Sequence, residues 1–246
     1  METNMAEAVV PKIIGHRGAA GHAPENTLVS VQRAYDLGVR WIEVDVKLSS
    51  DDVPVLFHDD KLERTTNGKG PITRKRLNEL KDLDAGGWFE SSFAGERIPT
   101  LVELVATSAR LGLGLNLELK PSPGEEEKTG RIAAEVLQVI WPAALPAPMI
   151  SSFKPEALAA FSGVAPDMER ALLFHKLPKE WLLQARALGV SALHCKARHL
   201  KRDHVDAIRD SGLAVRCFTV NEDEDAQRLF RWGVGSVFTD FPDRLA

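Results

Sequence analysis

Trp41-Ile42-Glu43-Val44-Asp45-Val46 is the stretch whose reading decides the fold. Aromatic and β-branched residues mark it as a strand, yet it carries two acids at positions i and i+2. Strand side chains alternate between faces, so Glu43 and Asp45 point one way while Ile42, Val44 and Val46 point the other. Trp41 and Val46 make this a buried strand, and adjacent buried carboxylates need a cation.

Working outward, two neighbouring segments end alike. Upstream, Ile13-Ile14-Gly15-His16-Arg17-Gly18 is a short apolar strand that stops at a histidine, an arginine and a glycine. Downstream, Val53-Pro54-Val55-Leu56-Phe57-His58-Asp59 stops at a histidine and an acid. Strand ends within residues 12–59 thus deliver two imidazoles, a guanidinium and two carboxylates, a set that can bind a divalent cation and a phosphate and can move protons.

The rest of the chain alternates between strand and helix patterns. Asn26 is expected to cap a helix over residues 26–37, with Gly38 closing it. The turn at residues 49–52 is too short for a parallel crossover, so residues 53–57 are expected to return antiparallel to residues 41–48. Thr100 caps a helix over residues 101–111. Leaving that hairpin strand aside, strands are expected at 12–15, 41–48, 113–119, 149–153, 171–174, 192–195, 214–220 and 236–239. Further helices fall at 126–140, 155–161, 179–188, 202–211 and 222–232. Eight strands separated by helices predict a TIM-type (β/α)8 barrel, and 246 residues suit one. A single catalytic domain over 12–246 follows, with residues 1–11 as a loose tail.

Residues 60–99 break the rhythm. Thr65-Thr66-Asn67-Gly68-Lys69-Gly70-Pro71 is turn-rich, and Thr73 is expected to cap a short helix carrying Leu77 and Leu80. Leu83, Trp88, Phe89 and Phe93 add apolar bulk, so the segment reads as a small insertion after the hairpin, covering one edge of the site. The three aromatics fit equally well as insertion core or as substrate contacts.

In a TIM barrel active residues lie at the C-terminal ends of the strands. Asn116, Glu118 and Lys120 share one face of their strand, opposite Leu115, Leu117 and Leu119, so a third acid reaches the same rim. Glu43, Asp45 and Glu118 would offer hard oxygen ligands suited to Mg2+ or Ca2+. The Arg17 fork suits a phosphate, Lys120 adds a point charge, and His16 and His58 are placed to act as base and acid. His22, His175, His194, His199 and His204 read as structural.

The order of these pieces resembles the glycerophosphodiester phosphodiesterase family, in its bacterial cytoplasmic form. His16-Arg17, Glu43-Val44-Asp45, His58-Asp59 and Glu118-Leu119-Lys120 carry the resemblance. Pro24-Glu25-Asn26-Thr27, Thr65-Thr66-Asn67-Gly68, Ser151-Ser152-Phe153, Thr219-Val220-Asn221 and Thr239-Asp240 extend it along the chain. It implies a barrel with a small insertion, a divalent cation, and hydrolysis of glycerophosphodiesters to glycerol 3-phosphate and an alcohol. Phe218 stands where the family usually has tryptophan, so its contact with the glycerol moiety is expected to be smaller or differently shaped.

Composition removes other classes. The net charge of −4 is spread over interspersed acids and bases, giving no basic face for nucleic acid. No apolar run approaches the roughly 20 residues of a membrane span, and residues 1–11 lack the features of a secretory signal, so a cytoplasmic protein without membrane insertion is expected. Cys195 and Cys217 fall in apolar strands and read as buried free thiols. A lysophospholipase D-like enzyme or related phospholipase on the same barrel, acting on lysolipids or sphingolipids at a membrane, would want exposed apolar loops or a basic amphipathic helix, and neither stands out. A non-catalytic metal or phosphate-ester binding module would not need two histidines placed to shuttle protons.

Overall fold

β2 (Trp41–Leu48) is buried along its whole length, and its two edges are used differently. Along one edge β4 (Gly114–Leu119) runs parallel from Trp41 to Val46. Along the other, β1 (Ile13–His16) pairs in parallel only at Ile42 and Glu43. Because β1 stops at His16, the upper part of that edge is free, and β3 (Pro54–Leu56) fills it antiparallel against Val46, Lys47 and Leu48. The hairpin thus stands above the rim and returns the chain to the site at His58.

The structure, a computed structural model, describes residues 10–245. The expected loose tail lies almost wholly outside them; of its last two residues, Val10 packs beside Ile14 and Trp41, and the Pro11 carbonyl accepts a hydrogen bond of 2.7 Å from Ser236 Oγ. β5 (Met149–Ser152), β6 (Glu169–Phe174), β7 (Ala192–Lys196), β8 (Ala214–Phe218) and β9 (Ser236–Thr239) continue the parallel sheet, and β9 pairs with β1. Eight parallel strands close a TIM barrel, with β3 outside the ring. The helices are α1 (Leu28–Asp36), α2 (Leu77–Lys81), α3 (Leu101–Leu111), α4 (Glu126–Ile140), α5 (Pro155–Val164), α6 (Trp181–Leu188), α7 (Arg202–Asp210) and α8 (Asp223–Trp232).

Alternation along the strands separates an apolar outer face from a graded interior. Ile42, Val44, Leu115, Leu117, Leu193, Val215 and Val237 join the helices in one large buried cluster. Inside, Ile14, Trp41, Met149 and Phe238 form an apolar floor. Gly114 makes that floor possible, since a Cβ there would lie 2.2 Å from the Trp41 indole. Above the floor the inward residues turn polar, and this is where the acids sit.

Two caps differ from the sequence reading. The N-cap of α1 is Thr27, whose hydroxyl accepts from Ser30 N, while Asn26 takes a left-handed conformation (φ 58°) and turns its carboxamide into the barrel mouth. The sequence shows two adjacent capping residues and cannot say which one the tertiary structure recruits elsewhere. Thr73 lies in a 3-10 turn, and α2 starts after Arg76, whose N–H donates to Glu79. Thr100 caps α3 as expected, and Glu103 completes a capping box with it.

Residues 60–99 build a separate small core of Leu62, Ile72, Leu80, Ala85 and Ile98 on Val55 and Phe57 from the hairpin. Leu77 and Leu83 pack at its edge. Trp88 is exposed, Phe89 and Phe93 are half-buried, and the three rings follow one another edge to face with 5.6 Å steps. Cys195 and Cys217 face each other in the β7–β8 register as free buried thiols, and burial pushes the Cys195 thiol up to about 12.

Candidate active site

Register builds the centre of the site. Glu43 sits opposite His16 on β1 and Asn116 on β4, and Asp45 sits opposite Glu118. Glu43, Asp45 and Glu118 can each present an oxygen within 4.8 Å of the others, and all three are buried. Burial and the charge of Asp45 push the Glu43 carboxyl well above the usual range, and burial raises Glu118 as well. Burial would raise Asp45 too, but the charges of Arg17 and Lys120 outweigh it and keep that carboxylate ionised. Glu43 Oε1 and Asn116 Oδ1 are buried without a hydrogen-bond partner among the described residues. Unpartnered oxygens among crowded carboxylates are what a hard divalent cation would satisfy, so these residues fit one.

Arg17 turns the chain sharply after β1 with φ 51°, and its own N–H donates to Glu43 Oε2 at 3.0 Å. Its guanidinium donates to Glu25 at 2.6 Å and lies 3.1 Å from Asp45 Oδ2. The Nε hydrogen is not aimed at Asp45, so that contact is one of charge and not a formed hydrogen bond. Lys120 Nζ donates to Glu118 at 2.8 Å, lies 3.5 Å from Asp45, and stands over the Phe153 ring. Phe218 meets Phe153 edge to face at 5.7 Å.

Both histidines are backed by carboxylates. His16 Nδ1 lies 2.6 Å from Asp240 Oδ1, with Nε2 facing Glu43 at 3.9 Å. Burial alone would lower its pKa, but Asp240 and Glu43 outweigh burial and raise it. His58 Nδ1 lies 2.5 Å from Asp59 Oδ1. Here burial, with Arg17 and Lys120, prevails over the attraction of Asp45, and the pKa falls.

The sequence reading missed several members of this network. Asn26 donates to Asp45 Oδ2 and accepts from Asp45 N–H. Asp240 is oriented by Asn221, which donates to its Oδ2 and accepts from its N–H. Arg64 bridges Glu25 and Asp59 with four hydrogen bonds. Each lies in a stretch already quoted for the family resemblance or next to one, so position in a motif was the available signal; contact was not. Of the other histidines, His22 pairs with Asp243, His204 accepts from Lys201 N–H at the start of α7, and His199 accepts from Arg198. His194 lies buried in the barrel beside Arg216, whereas His175 reaches the rim and stacks on Phe153.

Acids that could hold a hard cation, carboxylate-backed imidazoles and cations on one rim of a TIM barrel fit a class, the phosphoric ester hydrolases. Residues 16–244 match the Glycerophosphoryl diester phosphodiesterase family, and the chain belongs to it. It is similar to the glycerophosphodiester phosphodiesterases of Caldanaerobacter subterraneus (35% identical, 95% of both chains covered) and Bacillus altitudinis (33% identical, 95% and 96% covered). An Oleispira antarctica phosphodiesterase, solved with the product sn-glycerol-3-phosphate, is 40% identical with a TM-score of 0.92 over 95% of this chain and 94% of that one. Among the described residues no helix is long and apolar enough to cross a membrane.

Proposed function

We propose that the protein hydrolyses glycerophosphodiesters to glycerol 3-phosphate and an alcohol, using a divalent cation, Mg2+ or Ca2+, held by Glu43, Asp45 and Glu118. The observation that carries this reading is the buried carboxylate cluster with Glu43 Oε1 left unpartnered, in a chain so similar to a phosphodiesterase that holds this product. Bound there, the cation supplies Lewis-acid stabilisation of charge on the phosphoryl oxygens. Arg17 and Lys120 add fixed positive charge on the same oxygens. Phe218 contacts the glycerol moiety from across the rim.

His16 and His58 act as the acid and base. His16 removes the proton from the attacking hydroxyl, whether water or the free hydroxyl of the substrate glycerol, and His58 protonates the departing alcohol. Without ligands, the pKa directions favour the opposite protonation, His16 charged and His58 neutral. The phosphate charge of a bound diester works against the lowering at His58, since it lies against the same cations that cause it. Residues 60–99 form a cover on the His58 edge and not part of the barrel core.

The test is release of glycerol 3-phosphate from a panel of glycerophosphodiesters and one lysolipid, with and without chelator. Turnover of the soluble diesters, abolished by chelator and restored by Mg2+ or Ca2+, is the expected result. Preference for the lysolipid would make the protein a lysophospholipase D-like enzyme, and turnover unaffected by chelator would remove the metal.

A further inference from the structure

Two spaces meet at Glu118, and they differ in character. A small cavity on the barrel side is lined by His16, Glu43 and Phe218. On the hairpin side lies an open cavity of about 340 Å³, lined by His58, Lys47, Asp60, Lys120, Phe153 and Lys154. Phosphoryl transfer keeps the attacking and departing oxygens roughly in line on opposite sides of phosphorus. With His16 on one side and His58 on the other, the larger cavity faces the departing alcohol.

The charges in this cavity are not arranged for a cationic alcohol. Its acids are engaged: Arg64 and His58 hold Asp59, and Lys47 Nζ donates to Asp60 at 2.6 Å. Phe153 offers no aromatic cage for a quaternary ammonium, because His175 stacks on it at 4.4 Å and Lys120 stands over it at 5.7 Å. The lysines that line it are paired too, Lys120 with Glu118 and Lys154 with Glu126 at 3.6 Å, but the cations farther out on the rim are not. The Lys47 side chain is 1% exposed, yet it lines the cavity, and its one carboxylate partner among the described residues, Asp60, is itself mostly in solvent. Beyond Lys154, the rim carries Lys176, Lys196 and Arg198, none with a carboxylate within 4 Å among the described residues.

We infer that this cavity selects diesters with a net negative charge and a hydroxyl-bearing alcohol, such as glycerol, over diesters of a quaternary ammonium alcohol, with Lys47 and Lys154 setting the preference. This rests on the hydrolase reading above. Hydroxyls can accept from the Lys47 ammonium and donate to Asp60, whereas a trimethylammonium group has no hydrogen to donate to Asp60, would face Lys47 and the cations of the rim, and would find the Phe153 ring covered.

The experiment compares kcat/KM for sn-glycero-3-phosphoglycerol and sn-glycero-3-phosphocholine at low salt. The glycerol diester is expected to be favoured about tenfold, a margin that narrows as salt screens the rim. Lys47→Met should lower the ratio by most of that factor, and Lys154→Gln, at a half-exposed position that leaves the fold intact, by about two- to threefold. Equal or better turnover of the choline diester, or an unchanged ratio in Lys154→Gln, overturns the inference alone. No glycerol 3-phosphate from either substrate overturns the hydrolase reading, and the inference with it.

Discussion

The two ends of the site look alike and are held differently. At the His16 end the imidazole, its partner Asp240 and the orienting Asn221 all follow barrel strands, β1, β9 and β8. At the His58 end the imidazole follows the outlying hairpin, and Asp59 is tied through Arg64, in the 60–99 segment, to Glu25. The same motif, histidine on carboxylate, therefore ends with opposite pKa directions. Two carboxylates favour the proton on each imidazole and Arg17 acts against both, but at His58 Lys120 acts against it as well. Environment and not residue type assigns the chemistry, and the fold by itself assigns neither.

The acid cluster serves both ends, so its loss should be felt most. Glu43→Ala is expected to cut turnover by orders of magnitude and to weaken cation binding measured by calorimetry. Wild-type protein should gain thermal stability on adding Mg2+ or Ca2+, and the variant should gain less. Full activity of Glu43→Ala in chelator would sink the metal assignment.

Separating the ends comes next. His16→Ala and His58→Ala should each cost roughly 10²–10⁴-fold on a glycerophosphodiester. A nitrophenyl ester departs without needing a proton, so the variant lacking the acid should recover much of its rate on it. Recovery in His58→Ala alone supports the roles given above; recovery in His16→Ala alone exchanges them. If both stay equally slow, neither histidine is the acid.

Shortening the loop between residues 84 and 96 should touch only the His58 end. The expected outcome is a raised KM or altered alcohol preference, with cooperative unfolding retained by circular dichroism. An insoluble product would place the segment in the main core.

The smallest effect concerns the tie between the ends. Burial would raise Glu25, but hydrogen bonds and charge from Arg64 and Arg17 lower it; at Asp59 the Arg64 hydrogen bonds lead the lowering. Carboxyls depressed in the folded state contribute stability above their unfolded values near 4, and lose it as pH falls through the folded ones. Arg64→Ala should therefore cost about 1 kcal/mol at pH 7 and less at pH 3, read from thermal melts at both. An equal cost at both pH values would show that Arg64 contributes packing alone.

How far the sequence reaches is plain at particular residues. Period-two alternation places Glu43, Asp45 and Glu118 on inward faces, and regular strand and helix spacing suffices for the barrel, because both follow from local stereochemistry and the need to bury Ile42, Val44, Leu115 and Leu117. Only the tertiary structure decides that Asn26 leaves the helix cap for Asp45, that Asp240 crosses 224 residues to His16, and that Arg64 joins Glu25 to Asp59. A polar side chain finds its partner across space once register and closure are set, and no local pattern encodes which acid a given base will meet. Trp88 shows the same limit from the apolar side: its bulk is legible in the sequence, but its exposure depends on what the folded chain brings beside it.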